Sequence, residues 1–316
     1  MQPNPALHVI FGTGPLAQSV MKELLRQNQS VRMVNRSGKA PVPDTVEVVA
    51  GDAYDPEVTR HLCQGSAVVY QCAQPPYTQW PEKFPALQAS ILEAAAVNEA
   101  VLVVAENLYM YGPVQGSLHE KLPYAATTRK GRTRARMSEA LLAAHRQGRV
   151  QVVMGRGSDF YGPRVLNSAL GERVFPQVLA GKSVTAMGNV DVPHSYAYID
   201  DFGQALVALG QQESAYGRAW HVPHAPAMST RHVIELAYQS AGIQPTPPIR
   251  GMGSLMMRLG GLFIPEARET VELMYEFTDP FVVDDSDFRA AFGLEPTSLE
   301  AGIQAALAWY RNYHRA

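Results

Sequence analysis

The chain has 316 residues, 46% of them apolar and 18% charged, enough to bury a substantial core in one large domain or two unequal ones. A formal net charge of −2 excludes a general attraction to nucleic acid or to an anionic membrane surface. Cys63 and Cys72 are too few for a disulfide framework and lie in no metal-ligand spacing, which fits a reducing, cytoplasmic compartment and no metal.

The opening Met1-Gln2-Pro3-Asn4-Pro5 has no basic region ahead of an apolar stretch, so no secretory signal is expected. Leu7–Phe11 reads as a buried strand. It is followed by a helix over Pro15–Gln27, with Leu16, Val20 and Leu24 on one face and Pro15 at the first helical position. Strands follow at Val31–Val34, Val46–Ala50, Ala67–Cys72, Val101–Ala105 and Val150–Met154, with helices over Phe84–Ala100 and Thr133–Gln147 among them. Strands alternating with helices predict βαβ units, right-handed crossovers and a doubly wound parallel α/β sheet of Rossmann type. Beyond Gly155 the rhythm becomes irregular, with helical patterns at Asp200–Leu209, Thr230–Ala241, Glu266–Glu276 and Leu299–Tyr313. The expected organisation is a dinucleotide-binding domain over residues 1–155, with return segments near 190–222. Residues 156–316 form mainly a smaller α+β substrate-side domain packed over the sheet's carboxyl edge. Gly251–Pro265 is the most apolar stretch, but it is shorter than the ~20 residues of a membrane span and has Arg258 inside it. It is expected to form a buried helix or a lid, and the chain is expected to be soluble.

Gly12-Thr13-Gly14-Pro15-Leu16-Ala17 reads GxGxxA, directly after a strand and opening a helix. In that context Gly12 permits the tight turn, and Gly14 admits a pyrophosphate to the backbone. Ala17 keeps helix and strand close, and the helix N-terminus offers oriented N–H donors. A dinucleotide cofactor is therefore expected, held by Gly12, Thr13, Gly14, Pro15 and Leu16, with Ala73 after the fourth strand. At the end of the second strand an NAD site would carry Asp or Glu; here the residues are Asn35-Arg36-Ser37. An arginine between two neutral polar groups suits a ribose 2′-phosphate, so NADP(H) is favoured over NAD(H). Asp52 after the third strand falls near the adenine, or serves as a turn residue.

Further motifs carry a resemblance over nearly the whole chain. Asn107-Leu108-Tyr109-Met110-Tyr111-Gly112, Asp159-Phe160-Tyr161-Gly162-Pro163, Tyr198-Ile199-Asp200-Asp201-Phe202 and the Phe292-Gly293-Leu294…Trp309-Tyr310 tail resemble segments of the extended short-chain dehydrogenase/reductases, the NAD-dependent epimerase/dehydratases. The resemblance implies chemistry by a Ser or Thr with a Tyr-x-x-x-Lys pair, in which tyrosine transfers the proton and lysine supports it. At those positions this chain has Asn107, Lys130 and Arg134. The family's Asn before the YGP turn matches Asp159, and an arginine that grips a nucleotide-sugar phosphate matches His194. An added carboxylate and a lost guanidinium both disfavour a diphosphate substrate. In the resembled family the helices matching Phe84–Ala100 and Thr133–Gln147 form a dimeric bundle, which implies a homodimer here. The second apolar faces of these helices, Leu87, Ile91 and Ala95 with Met137 and Leu141, serve equally as core packing.

These departures define the candidate chemistry. If extended backbone persists after the fifth strand, Asn107, Tyr109 and Tyr111 share one side. Lys130 is then a candidate general acid or base, Asn107 polarises the substrate oxygen, and Arg134 holds the ribose or an acidic group. Hydride would move near Tyr109. The run Arg129–Arg136 reads alternatively as a solvated basic face or as a neutraliser of cofactor phosphates; without interleaved aromatics it is no nucleic-acid patch. Tyr77 and Trp80, after the fourth strand, either line a pocket with Tyr111, Asp159 and His194 or cap the core; His194 and His221 also read as satisfied structural histidines. The leading expectation is an NADP(H)-dependent oxidoreductase with a non-standard site, acting on a small carbonyl or alcohol compound under an apolar lid. The alternatives are a catalytically silent NADP(H)-binding redox sensor or regulator, and a non-redox lyase or isomerase.

Overall fold

The computed structural model describes residues 5–254, 256–257 and 265–313. In chain order the first elements are β1 (Leu7–Phe11), α1 (Pro15–Arg26), β2 (Ser30–Asn35), β3 (Glu47–Ala50), α2 (Pro56–Leu62) and β4 (Ser66–Gln71). They are followed by α3 (Trp80–Val97), β5 (Val101–Glu106), α4 (Arg129–Arg146) and β6 (Val152–Arg156). The later elements are β7 (Phe160–Tyr161), α5 (Phe175–Leu179), β8 (Val184–Met187), β9 (Pro193–His194), β10 (Ala197–Tyr198), α6 (Ile199–Gly210), β11 (Ala219–His221), β12 (Met228–Ser229), α7 (Thr230–Ala241) and β13 (Ile249–Met252).

A seven-stranded sheet runs in the order β3-β2-β1-β4-β5-β6-β11, with parallel pairing from β3 through to β6. This is the doubly wound Rossmann arrangement read from the sequence. Its central strands are apolar along their length because helices cover both faces: Val9, Ile10, Val69, Leu102 and Val104 are completely buried. The order reverses between β1 and β4, the switch point at which such sheets bind ligands beyond the strands' carboxyl ends.

Two compact units divide the chain. The first comprises Met1–Glu106, Arg129–Arg156 and Phe202–Trp220; the second comprises Asn107–Thr128, Gly157–Asp201 and His221–Ala316. The second unit is built from two-residue and four-residue strand pairs, β7 with β10, β8 with β13 and β9 with β12. Its core is formed by Tyr161, Val178, Ile234, Tyr238, Ile303 and Tyr310. In the YIDD motif, Asp201 accepts from the Thr297 N–H and hydroxyl, both at 2.7 Å, so that carboxylate fastens the start of α6 to the C-terminal segment.

Three local expectations require correction. First, α3 begins at Trp80 instead of Phe84, because Pro81 fits the first turn, where no N–H is needed. Second, α4 begins at Arg129 instead of Thr133, drawing the basic run into the helix. The run is not uniformly solvated: Arg132 and Arg136 are exposed, while Lys130 and Arg134 are buried. Third, the helix expected over Glu266–Glu276 is interrupted. Pro265–Thr270 gives way to a 3₁₀ turn at Val271–Leu273 and then Tyr275–Thr278, the break falling at the β-branched pair Thr270-Val271. Most of the apolar lid segment within Gly251–Pro265 lies outside the described residues.

Candidate functional site

The phosphate loop leaves β1 at the switch point. Gly12 has φ +111°, and a Cβ placed there would lie 3.1 Å from the Ala73 nitrogen, so both the turn and the close approach of the two strand ends require glycine. Its N–H donates to the Val34 carbonyl at 2.9 Å, which fixes the loop to β2. Gly14 is the N-cap of α1 with no side-chain cap, Pro15 follows at the first turn, and a Cβ on Gly14 would meet nothing within 4 Å. The start of α1 is thus open backbone beside open space, the donor set that a pyrophosphate requires. Thr13 and Leu16 flank this opening, and Gln18 Nε2 ties back to the Thr13 carbonyl at 3.1 Å. The loop fits a dinucleotide.

The residues after β2 divide into two roles. Asn35 is a structural organiser: its Nδ2 donates to Thr13 Oγ1 at 3.0 Å and to the Lys39 carbonyl at 2.8 Å. Its Oδ1 accepts from the N–H groups of Ser37 and Gly38. The turn after β2 and the phosphate loop are therefore held as one piece. Arg36 and Ser37 are exposed at the tip of that piece. Asp52 accepts from the Tyr54 N–H at 3.0 Å, an Asx turn, so its carboxylate already has a local structural use.

At the start of α4, Lys130 is completely buried, and its ammonium lies 4.5 Å from the centroid of the Tyr77 ring. Trp80 packs edge-on against both Tyr77 and Phe84 with 5.1 Å between centroids, and its indole N–H donates to the Pro75 carbonyl. Trp80 therefore caps the core, and Tyr77 carries the lysine. One turn further along α4, Arg134 is 1% exposed and donates to Glu106 at 3.2 Å, with its guanidinium 4.8 Å from the Phe84 ring centroid. The same carboxylate accepts from Ser138 at 2.7 Å and from Arg156 at 2.9 Å. Sequence reasoning missed Glu106, Ser138 and Arg156. The available signal was a charged residue closing each of two apolar strands, Glu106 on β5 and Arg156 on β6, which the register pairs directly.

In the second unit, Tyr109–Tyr111 is a 3₁₀ turn closed by Gly112 at φ +70°, not extended backbone. The alternation expected for Asn107, Tyr109 and Tyr111 is thereby lost. Asn107 Oδ1 accepts from the Tyr109 N–H at 3.3 Å and stabilises the turn, and both residues are half-buried. Tyr111 is buried, and its hydroxyl donates to His221 Nε2 at 3.0 Å. The opposite nitrogen of that ring faces the Asp284 carbonyl at 3.1 Å. Tyr111 and His221 are thus a satisfied internal pair. Asp159 and His194, picked out separately in the sequence, are bonded to each other: His194 Nε2 lies 2.9 Å from Asp159 Oδ2. Around them lie three groups that had no local signal. His224 is buried and lowered to about 4 by desolvation; Asp285 accepts from the His224 backbone N–H at 2.8 Å. Glu276 is buried and raised well above the usual carboxylate range by desolvation and then by the Asp159 charge.

Among the described residues, no group of three or more His, Cys, Asp and Glu side chains could hold a metal ion. Also among them, no helix is long and apolar enough to cross a membrane. Burial pushes the Cys63 and Cys72 thiols up to about 12, far from thiolate reactivity.

The family model described as NAD dependent epimerase/dehydratase matches residues 9–222. No curated protein matches the chain. Among solved structures, the UDP-glucose 4-epimerase of Thermotoga maritima with UDP-glucose aligns with a TM-score of 0.81 at 14% identity, covering 98% of this chain and 99% of the other. The UDP-glucuronic acid 4-epimerase of Bacillus cereus in complex with NAD aligns at 0.77 and 17% identity, covering 98% of each chain. The UDP-N-acetylglucosamine 4-epimerase of Bacillus cereus aligns at 0.78 and 14% identity, covering 97% of this chain and 96% of the other. At these identities the likeness is one of fold.

Proposed function

The chain belongs to the NAD dependent epimerase/dehydratase family, and from that premise we propose that it is an NADP(H)-dependent oxidoreductase with a non-standard active site, acting on a small carbonyl or alcohol compound. The observation that carries the reading is a buried lysine, Lys130, at the position where the resembled enzymes have their proton-transferring tyrosine. A nicotinamide dinucleotide bound at the phosphate loop supplies the hydride-exchanging group. Gly12 and Gly14 admit the pyrophosphate to the backbone, and the first N–H groups of α1 hold it. Arg36, exposed at the tip of the Asn35-organised turn, would pair with a 2′-phosphate, and an arginine in place of Asp or Glu at this position favours NADP(H) over NAD(H). Lys130 holds or moves the proton of the substrate oxygen; Asn107, which the sequence offered for orienting that oxygen, caps the turn at Tyr109. Arg134, engaged with Glu106, is assigned a supporting role under α4 in place of the ribose contact.

That engagement also favours a second reading, a silent NADP(H)-binding sensor, because the residue matching the family's supporting lysine is bound to a structural carboxylate. The deciding assay follows NADPH at its near-ultraviolet absorbance against aldehydes, ketones and enones, with Lys130→Met alongside. Turnover abolished in Lys130→Met with NADPH binding intact supports the oxidoreductase. Binding without turnover across the panel supports the sensor, and turnover of substrate at constant NADPH supports a lyase or isomerase. We also propose a homodimer through α3 and α4. The support is a groove on two neighbouring helices, lined by Pro81, Pro85, Ala89, Ala140 and Ala144 together with the charged Glu93, Arg136 and Arg149. Sedimentation equilibrium tests it.

A further inference from the structure

The second unit contains a buried polar cluster with a net charge that its hydrogen bonds define. Backbone bonds fix its frame: Ala197 donates to the Asp159 carbonyl at 3.0 Å, Phe281 to Pro193 at 2.9 Å and Ser195 to Phe281 at 2.8 Å. His194 sits inside that frame, 2% exposed. Its Nδ1 faces the Glu276 backbone carbonyl at 3.1 Å; a carbonyl only accepts, so Nδ1 carries a hydrogen. Its Nε2 faces Asp159 Oδ2 at 2.9 Å, an axis that must also hold a proton. Imidazole and carboxylate together are therefore neutral. Phe277 and Phe281 stack on the ring at 5.5 and 5.3 Å, and Tyr196 lies 4.5 Å away, leaving the imidazole no further polar partner to take.

His224 and Glu276, the two groups beside this pair, add no cation. His224 accepts from the Ser158 N–H at Nε2 and donates from Nδ1 to the Val222 carbonyl, the neutral tautomer. Glu276 is 2% exposed, and its Oε1 has no hydrogen-bond partner; burial and then the Asp159 charge push its carboxyl well above the usual carboxylate range. Arg164, Arg231 and Arg289 are paired with Asp200, Asp191 and Asp285. What the cluster leaves outward is Asp159, 19% exposed, with Oδ2 occupied by His194 and Oδ1 as its open acceptor. A phosphoryl group brought to that oxygen would place two anions together, and the imidazole beside them is already committed to Oδ2. A hydroxyl would donate to it directly.

We propose that Asp159, held in place by His194, is the specificity-determining acceptor of the second unit, taking a hydroxyl of an unphosphorylated alcohol or polyol and turning away its phosphorylated counterpart. This rests on the small-alcohol reading given above and names the substrate class within it. The test is an equilibrium one and needs no turnover, so a failed redox assay leaves it standing or falling by itself. Dissociation constants for glycerol against glycerol 3-phosphate, and for glucose against glucose 1-phosphate, are measured on the full chain by saturation-transfer NMR titration.

The native chain should bind each unphosphorylated member at least about tenfold more tightly, roughly the difference one charge-assisted hydrogen bond makes. In Asp159→Asn, the imidazole keeps its hydrogen on Nδ1 toward the Glu276 carbonyl, so Nε2 accepts from the amide N–H and a neutral amide oxygen faces outward; the preference should collapse to near parity. Any binding of phosphates at the α1 loop is common to both proteins and cancels in the comparison. Should Asp159→Asn fold poorly by circular dichroism, Asp159→Ser removes the acceptor carboxylate and should abolish the discrimination. A native preference for the phosphorylated members, an undiminished preference in the folded variants, or binding of neither series would overturn the proposal.

Discussion

Glu106→Gln probes the ion cluster that holds the start of α4 against the ends of β5 and β6. The native carboxylate is completely buried and is shared by Arg134 at 3.2 Å and Arg156 at 2.9 Å, themselves 1% and 0% exposed, with Ser138 at 2.7 Å. Such a pair is weak evidence of stability against an apolar replacement, because desolvation offsets most of the Coulomb attraction. Removing one partner is another matter, since it leaves charge buried without its counter-ion and costs about 3–5 kcal/mol. Here two guanidinium groups lose a shared anion. The glutamine oxygen can still accept one of the three bonds, which sets the expectation near the lower bound, about 3 kcal/mol. Urea unfolding followed by circular dichroism, with the slope held common between proteins, reads this as a shift in midpoint. Arg134→Met with Glu106→Gln should cost less than the sum of the single changes, the signature of a shared interaction. A loss below about 1 kcal/mol for Glu106→Gln, or strict additivity in the double variant, would refute the cluster as a structural anchor for the helix that carries Lys130.

Arg36→Ala should weaken NADPH binding about tenfold and leave NADH unchanged, the modest size reflecting a solvent-exposed pair; protein-quenched NADPH fluorescence reads it, and equal losses for both cofactors would count against a 2′-phosphate contact. Acid should destabilise the chain through His224. Its folded value of about 4 lies below the ordinary 6.5, so the unfolded chain binds the extra proton first. The stability it contributes is therefore complete above about pH 6.5 and is lost as pH falls through about 4. The full span corresponds to about 3 kcal/mol. In chemical unfolding at stepped pH, His224→Gln should flatten that part of the profile relative to the native chain, and an unaltered slope would locate the acid sensitivity elsewhere.

How much was legible depended on whether the signal was local. The sheet was readable because strands buried on both faces are apolar throughout and are separated by helices of matching period. Gly12, Gly14 and Pro15 were readable because a phosphate loop draws on a few consecutive residues whose backbone demands are specific to glycine and proline. The 3₁₀ turn at Tyr109–Tyr111 was not, because its cause is the positive φ of Gly112 and the Asn107 side chain folding back onto Tyr109, neither of which appears in a hydrophobic pattern. The mixed fate of the basic run was hidden for a related reason. Lys130 and Arg134 lie on one helical face and Arg132 and Arg136 on another, but charge alone assigns no face. Glu106 and Arg156 come together only through the β5–β6 register, and Glu276 reaches the His194 cluster from a helix that the sequence pattern drew as continuous.

Asp159 and His194 carry the most information about ligand, because each would be difficult to keep without the other. A carboxylate about four-fifths withdrawn from water needs a partner, and an imidazole that is 2% exposed and ringed by Tyr196, Phe277 and Phe281 needs both nitrogens satisfied. Their mutual bond meets both needs at once and leaves one acceptor oxygen outward. The asparagine and arginine of the resembled family would leave a surplus positive charge at these positions, suited to a phosphate. The aspartate and histidine leave none, yet remain a bonded pair. Loss of the arginine alone would be compatible with a site that no longer binds anything. If Asp159 meets the ligand as proposed, loss of the arginine together with a compensated carboxylate changes recognition from accepting an anion to accepting a hydrogen-bond donor.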